Sequence, residues 1–163
     1  MSRRTGTRVR TALLLAFAAL VVLAGCGSKP VTPPTVKTAT IGGLGTILVN
    51  GQGHTLYMFV PDARHAVTCT GTCAGTWPPL KTADGKPAHA GPGVQATLLG
   101  ADPSPGGGTV VTYDRWPLYT YAADINPGDV VGQALDLNGG YWYVMRPDGT
   151  PVVPHGSPPI PTS

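Results

Sequence analysis

The sequence predicts an all-β domain, a small antiparallel sandwich or barrel built from two related strand-turn-strand repeats. Residues 56–62 (LYMFVPD) recur in form at residues 118–124 (LYTYAAD), and GTILV at 45–49 recurs as GTVVT at 108–112. The 23 glycines and 18 prolines punctuate the chain so often that a helix has little room to form. The two repeats are expected at about residues 45–80 and 108–146.

The N-terminal segment has the pattern of a secretory signal. Residues 1–10 carry four arginines and no acid, and residues 12–24 are almost purely apolar. This apolar run is short for a membrane span of about 20 residues. It ends in LAGC, which resembles the lipobox of bacterial lipoproteins. The resemblance implies a lipoprotein signal peptide at 1–25, cleavage before Cys26 and a diacylglycerol on its sulfur; the alternative is an uncleaved anchor with an incidental cysteine.

Removal of the signal changes the charge of the protein. The full chain has a formal charge of +3, but four of its eleven basic residues lie in residues 1–10. The mature chain has seven lysines and arginines against eight aspartates, a net charge of −1. Nothing is left to neutralise a phosphate backbone, so nucleic-acid binding is excluded.

Composition also sets the predicted domain boundaries. Residues 26–40, after the lipidated cysteine, contain proline, threonine and lysine without an apolar period and are predicted to form a flexible tether. Residues 154–163 are proline-rich and predicted to be a disordered tail. The β domain is therefore expected at residues 41–153, a length that suits one domain.

Within this domain, turn residues separate short segments rich in β-branched and aromatic residues. Asn50-Gly51-Gln52-Gly53 predicts a hairpin turn, and Asp114-Arg115 lies at the matching place in the second repeat. Residues 132–137 could form at most one helical turn. Strands are predicted at residues 46–49, 55–60, 94–99, 109–113, 116–122, 141–145 and 151–153.

The repeated motif has a geometry set by strand alternation. Tyr57 and Phe59 should face one side of their strand, with Leu56 and Met58 on the other. Apolar residues on both faces predict strands that are covered on both sides. The motif residues, which we expect to be structural, are Tyr57, Phe59, Asp62, Tyr119, Tyr121 and Asp124.

Asp62 and Asp124 each follow a motif strand. At that position a carboxylate can accept hydrogen bonds from loop N–H groups or from a tyrosine hydroxyl. The alternative is that they are catalytic carboxylates.

Further motifs surround the repeats: TCTGTC at 68–73, WPPL at 77–80, and GYWYV at 140–144 followed by PDG at 147–149. With the Tyr-x-aromatic-x-x-Asp pattern, they resemble the secreted-repeat lipoproteins, bacterial envelope proteins of poorly known function. The resemblance covers about residues 45–152. It implies a lipid-anchored location on the extracytoplasmic face of the membrane, and a loose family association implies a link to the utilisation of apolar compounds such as alkanes.

Cys69 and Cys73 are the cysteines that remain beside Cys26. In an exported protein this pair is most simply a disulfide that closes a small loop. The alternative is a soft copper or redox site, because reduced cysteines with a nearby His or Met suit Cu(I). The copper set would be Cys69, Cys73, His54, Met58 and His65.

The aromatic residues are spaced as sheet residues and are predicted to fill the core. The alternative is a ligand surface formed by Trp77, Trp116 and Trp142, which would suit an envelope glycan, a quinone or another apolar ligand.

Catalytic patterns are missing from the sequence. There is no glutamate and no Gly-x-Ser-x-Gly, and the glycines at 106–108 precede no helix. We therefore expect a monomeric, non-enzymatic binding or interaction module without a cofactor, anchored to the membrane through Cys26. Its partner would be an envelope protein, a glycan or a small apolar ligand; a copper- or redox-handling lipoprotein and an anchored hydrolase are the alternatives.

Overall fold

The computed structural model describes Met1 and residues 33–63, 66–82 and 86–161. The predicted signal peptide and Cys26 lie outside the described residues, as does His65. The strands are β1 Thr35–Ile41, β2 Gly45–Asn50, β3 Tyr57–Phe59, β4 Lys81–Thr82, β5 His89–Ala90, β6 Leu99–Pro103, β7 Thr109–Tyr113, β8 Trp116–Pro117, β9 Asp136–Leu137 and β10 Gly140–Val144. One short helix, α1, spans Thr72–Thr76, and single 3-10 turns cover Val60–Asp62 and Ala96–Leu98.

The strands form three small sheets, mostly antiparallel. β1 pairs with β2 and, in parallel, with β5. β7 lies between β4 and β6 and also pairs with β8, while β10 lies between β3 and β9. The predicted all-β architecture with two repeats is confirmed, and the sheets of the described residues do not close into a barrel. No helix in the described part of the chain is long and apolar enough to cross a membrane.

Reciprocal backbone hydrogen bonds between the repeats indicate an approximate twofold axis that passes between Tyr57 and Tyr119. Each of these residues donates its backbone N–H to the carbonyl of the other, at 2.9 Å in both directions. The Leu56 N–H donates to Leu48 O, and the matching Leu118 N–H donates to Val111 O. The same local sequence therefore makes the same hydrogen bonds in both halves.

Each repeat contributes the segment that contains or follows its tryptophan to the other half. After Trp77, the first repeat continues along the second, with Pro79 bridged to Tyr119 and β4 paired with β7. In return β10, which carries Trp142, pairs with β3 of the first repeat. The pairs Pro79–Tyr119 and Val144–Tyr57 are equivalent, so the exchange is symmetric.

The core has two layers, one on each face of the central strands, as alternation predicts. The first core layer contains Ile47, Val49, Tyr57, Phe59, Val67, Cys69, Trp77, Val110, Tyr119, Trp142, Val144 and Val152. The second core layer contains Val36, Leu48, Leu56, Met58, Ala88, Val111, Tyr113, Trp116, Leu118, Tyr143 and Met145. Tyr57 and Phe59 thus lie opposite Leu56 and Met58, as expected.

The domain begins earlier than predicted. β1 starts at Thr35, so a tether that reaches residue 40 and a domain that starts at residue 41 are wrong for residues 35–40. Six residue pairs join β1 to β2, from Val36 opposite Asn50 to Ile41 opposite Gly45, and Val36 is fully buried. This pairing and burial outweigh the Pro- and Thr-rich composition that suggested a tether.

Other predictions also need correction. The strand predicted over residues 116–122 is limited to Trp116–Pro117, with an isolated bridge at Tyr119, and residues 151–153 form an isolated bridge at Pro151 instead of a strand. Residues 96–98 form a 3-10 turn before β6 instead of a strand over 94–99. Helix α1 was not predicted, because its sequence TCAGT has no apolar period. Ile160 of the predicted disordered tail is half-buried and packs against the second core layer.

Candidate functional site

The centre of the first core layer is a stack of four aromatic rings. Trp77 and Trp142 stack face to face with ring centroids 3.9 Å apart. Tyr121 stacks on the outer face of this pair against Trp77 and Phe59 against Trp142, both at 4.1 Å. Each repeat supplies one tryptophan and one motif aromatic to the stack. The stack is therefore symmetric about the approximate twofold axis, in the order Tyr121–Trp77–Trp142–Phe59.

The tryptophans do not form a ligand surface. Trp77 and Trp142 are fully buried and Trp116 is 1 % exposed. The alternative prediction of a groove lined by these three residues is therefore wrong, since Trp77 and Trp142 are buried in the first core layer and Trp116 in the second. Their aromatic area stabilises the core instead.

The motif tyrosines and aspartates bond across the repeats. The Tyr57 hydroxyl donates to Asp124 Oδ2 at 2.6 Å, and the Tyr119 hydroxyl donates to Asp62 Oδ2 at 2.7 Å. The other carboxylate oxygens accept loop N–H groups: Thr68 N donates to Asp62 Oδ1 at 2.8 Å, and Val131 N to Asp124 Oδ1 at 2.9 Å. Each aspartate therefore accepts one hydrogen bond from a loop of its own repeat and one from the tyrosine of the other repeat.

Burial governs the ionisation of these groups. It raises the pKa of Asp62, while hydrogen bonds from Thr68 and Tyr119 act in the opposite direction. It also raises the pKa of Asp124, against the hydrogen bonds from Tyr57 and Val131. The pKa values of both tyrosines are raised, first by burial and then by the neighbouring carboxylate, so both remain hydrogen-bond donors at neutral pH.

Cys69 and Cys73 are joined in a disulfide with Cα atoms 5.3 Å apart, so the predicted pairing is confirmed. The loop turns at Gly71, whose φ of +57° suits glycine. Helix α1 follows at once, and the Trp77 N–H donates to Cys73 O at 2.8 Å. The disulfide loop is thus held at both ends. Thr68, before the loop, bonds to Asp62, and the buried Trp77 bonds to Cys73 at its end.

The described members of the alternative copper set, which exclude His65, do not form a metal site. The two cysteines are oxidised, so in this form neither offers a thiolate. Met58 is buried in the second core layer, while Cys69 lies in the first. Among the residues that the structure describes, no three histidine, cysteine or acidic side chains cluster as metal ligands would.

A cleft of about 440 Å³ opens beside the disulfide. Its walls come from three segments: the disulfide loop with α1, the strand after Trp77, and the turn between β6 and β7. The lining residues are Cys69, Thr70, Gly71, Ala74, Pro78, Pro79, Lys81, Ser104 and Gly106. The walls are mainly apolar, and Lys81, which is exposed, is the charged residue among them.

Sequence patterns indicated one wall of this cleft and missed the other. The disulfide and the Trp-Pro-Pro segment are visible as motifs, but Ser104 and Gly106 lie in a glycine-rich turn that has no chemical signature. Their place opposite the disulfide depends on the exchange of strands, which puts β4 beside β7. The small size of the turn residues is the sequence feature that could have indicated a cleft, because small side chains leave space that larger ones would fill.

Comparison with known proteins finds the repeats. A family model described as a secreted repeat of unknown function matches the chain twice, at residues 38–81 and 103–146. No curated protein and no solved structure matches the chain. The two matched segments coincide with the two halves related by the approximate twofold axis.

Proposed function

The chain belongs to the family of secreted repeats of unknown function, and on this basis we propose that it is a lipid-anchored envelope module that binds a small ligand without chemical conversion. The family supports an extracellular or envelope location. The LAGC sequence at residues 23–26 supports lipid attachment at Cys26. Two or three acyl chains would hold the domain stably at a membrane surface.

The cleft beside the disulfide is the observation that carries the proposed binding. Small-molecule sites are concave, mainly apolar and about 300–1,000 Å³ in volume, with a few polar groups that orient the ligand. The cleft meets these criteria with Thr70, Lys81 and Ser104 as its polar side chains. The disulfide and the paired strands hold its walls in place, so little ordering is required on binding.

The chemistry of the lining favours binding over catalysis. Among the described residues of the lining, its hydroxyls, Thr70 and Ser104, have no histidine or carboxylate beside them to act as a general base. Asp62 and Asp124 are 0 % and 4 % exposed, and both bond to tyrosines. Their carboxylates are therefore committed to the fold.

Intact-mass measurement of the protein extracted from membranes tests the anchor. We expect a chain that begins at Cys26 and carries acyl mass, and we expect Cys26→Ser to abolish the added mass and the membrane association. An unmodified Cys26 in the membrane-bound protein would contradict the proposed anchor.

Thermal-shift screening of the mature domain tests the cleft. A ligand that binds only the folded state raises Tm in proportion to its occupancy. Ala74→Leu places a larger side chain in the cleft and should abolish the shift, while Ala123→Leu, at an exposed turn position, should keep it. Equal shifts in both variants would place the binding elsewhere and reject the cleft as the site.

A further inference from the structure

We infer that the cleft binds a small aliphatic carboxylate, with the aliphatic part beside the disulfide loop and the carboxylate at Lys81. This inference rests on the proposed function and names its ligand class. It follows from a comparison of the two hairpin tips that the approximate twofold axis relates.

The two hairpins match residue by residue. In the β1–β2 hairpin the Leu44 N–H donates to Ile41 O at 3.2 Å, and in the β6–β7 hairpin the Gly107 N–H donates to Ser104 O at 2.9 Å. The strands that follow are also equivalent, since Leu48 corresponds to Val111. Ser104 therefore corresponds to Ile41, and Gly107 to Leu44.

The first hairpin tip carries aliphatic side chains at the positions where the second does not. Ile41 and Leu44 are half-buried and pack against the first core layer together with Leu135. Leu135 corresponds to Cys73 by its hydrogen bond. The Leu135 carbonyl accepts the Trp142 N–H, and the Cys73 carbonyl accepts the Trp77 N–H. In the second half, Ser104 and Gly107 replace the two aliphatic side chains, and Ser104 lines the cleft together with Gly106, the neighbour of Gly107.

This correspondence identifies the apolar part of the ligand. The site next to the disulfide is the counterpart of one that the protein itself fills with branched aliphatic groups. An aliphatic ligand would restore the apolar contacts that the second hairpin lacks. Such contacts are favourable, because atoms that line a void lose the dispersion attraction of close packing.

The charge in the cleft identifies the polar part. Lys81 corresponds to Arg146, whose Nη1 donates to Pro151 O at 3.0 Å. Lys81 has a longer contact, Nζ to Gly107 O at 3.4 Å, and its other ammonium protons can reach a ligand. Asp102 lies on the other side of β7 from Lys81, since both residues pair with Val110. Its carboxylate does not line the cleft. Among the residues that the structure describes, the lining thus presents one cation and no anion, which complements a carboxylate.

Calorimetric titration of the mature protein with octanoate and with octan-1-ol tests the inference. Octanoate should bind at one site and more tightly than octan-1-ol. Lys81→Met should weaken octanoate about tenfold and leave octan-1-ol unchanged, since a charge-assisted contact is lost. Lys86→Met, an exposed lysine outside the lining, should change neither affinity.

Cavity filling tests the aliphatic part. Ser104→Ile introduces the side chain of Ile41, the equivalent residue of the first hairpin, and should abolish octanoate binding with Tm retained. Ala74→Leu fills the cleft from the opposite wall and should have the same effect. Equal affinities for octanoate and octan-1-ol, or octanoate binding that survives both filling variants, would overturn the inferred ligand class. Binding of another compound that Ala74→Leu abolishes would keep the proposed function while rejecting the carboxylate, so the two failures are distinguishable.

Discussion

At the scale of single residues, the Tyr-x-aromatic-x-x-Asp motif acts between the repeats. Tyr57 and Asp62 are five residues apart in sequence, yet each bonds to the opposite repeat. An isolated carboxylate is costly to bury unless hydrogen bonds satisfy it. The tyrosine hydroxyl and the loop N–H supply those bonds, so the motif stabilises the pairing of the halves and the shape of both loops.

Loss of one motif hydroxyl should destabilise the protein. We expect Tyr57→Phe to lower the free energy of unfolding by about 1.5–3 kcal/mol, because it leaves a buried acceptor on Asp124 without its donor. Tyr119→Phe should have a similar effect through Asp62. Urea denaturation monitored by tryptophan fluorescence measures both changes.

Tyr143 provides the matched control. It is fully buried, and its hydroxyl has no hydrogen-bond partner in the described residues. Tyr143→Phe should therefore change the free energy of unfolding by less than about 0.5 kcal/mol or increase it. An equal loss in Tyr143→Phe and Tyr57→Phe would show that ring environment, and not the hydrogen bond to Asp124, determines the effect.

The raised pKa values of Asp62 and Asp124 predict a pH-dependent stability. Below the ordinary aspartate pKa, both the folded and unfolded states hold these protons. As the pH rises, the unfolded chain ionises first, so the contribution of these groups to stability falls until the pH passes their raised folded pKa. The double variant Asp62→Asn/Asp124→Asn should lack this fall.

The measurement is the free energy of unfolding of both proteins from about pH 3 to about pH 8, the range in which carboxylates titrate. The lowered pKa of Asp148 has the opposite sign, because its contribution is lost as the pH falls. Asp148 is present in both proteins, so its effect cancels in the difference. A difference that does not vary with pH would contradict the raised pKa values.

At the scale of elements, close approach determines where the strands can pack. β10 begins at Gly140, where an added Cβ would lie 2.5 Å from Pro61 Cγ and 2.6 Å from Pro61 Cδ. Pro61 lies in the 3-10 turn that ends the motif strand. The absence of a side chain at Gly140 thus allows the exchanged strand to pack beside the first repeat.

Gly140→Ala should therefore lower the free energy of unfolding by about 1–3 kcal/mol through overpacking. Gly75 in α1 is the control, since an added Cβ there would meet no described atom within 4 Å. Gly75→Ala should raise stability by about 0.5–1 kcal/mol, because alanine favours the helix. Tm values from differential scanning calorimetry compare the two, and a smaller loss in Gly140→Ala than about 0.5 kcal/mol would contradict the packing argument.

Elements with a local signal could be predicted from the sequence. The duplicated strands β2 and β7, the turn at Asn50 and the disulfide all depend on residues close in the chain, and the structure has each of them. The strand predicted over residues 94–99 failed because propensity cannot distinguish a 3-10 turn from a strand in a short apolar run. β1 was missed, and most of its residues were assigned to the tether, because its pairing with β2, and not its composition, makes it a strand.

At the scale of the whole molecule, the exchange of β4 and β10 between the repeats could not be predicted. It depends on pairings between residues far apart in sequence, such as Lys81 with Val110 and Trp142 with Phe59. The cleft depends on the same exchange, because one of its walls belongs to each repeat. Sequence patterns therefore indicated the disulfide as the place to look but gave neither the opposite wall nor the aliphatic counterpart in the first repeat.

The exchange also predicts that neither repeat is a folding unit. Residues 33–94 alone would leave β3 without β10, and residues 95–161 alone would leave β7 without β4. Each half would also expose one tryptophan of the stack and leave its tyrosine hydroxyl and carboxylate without their cross-repeat partners. Buried polar groups without partners and lost aromatic contacts together exceed what a chain of this length can tolerate.

We therefore expect each half to lack a cooperative thermal transition in circular dichroism, and an equimolar mixture to recover one. In the mixture, Tyr57→Phe in the first half should weaken association, because it removes a hydrogen bond that joins the two fragments, while Tyr143→Phe in the second half should leave it unchanged. A cooperative transition in either half by itself would show that the repeat closes its own core, and the strand exchange would then not be required for folding.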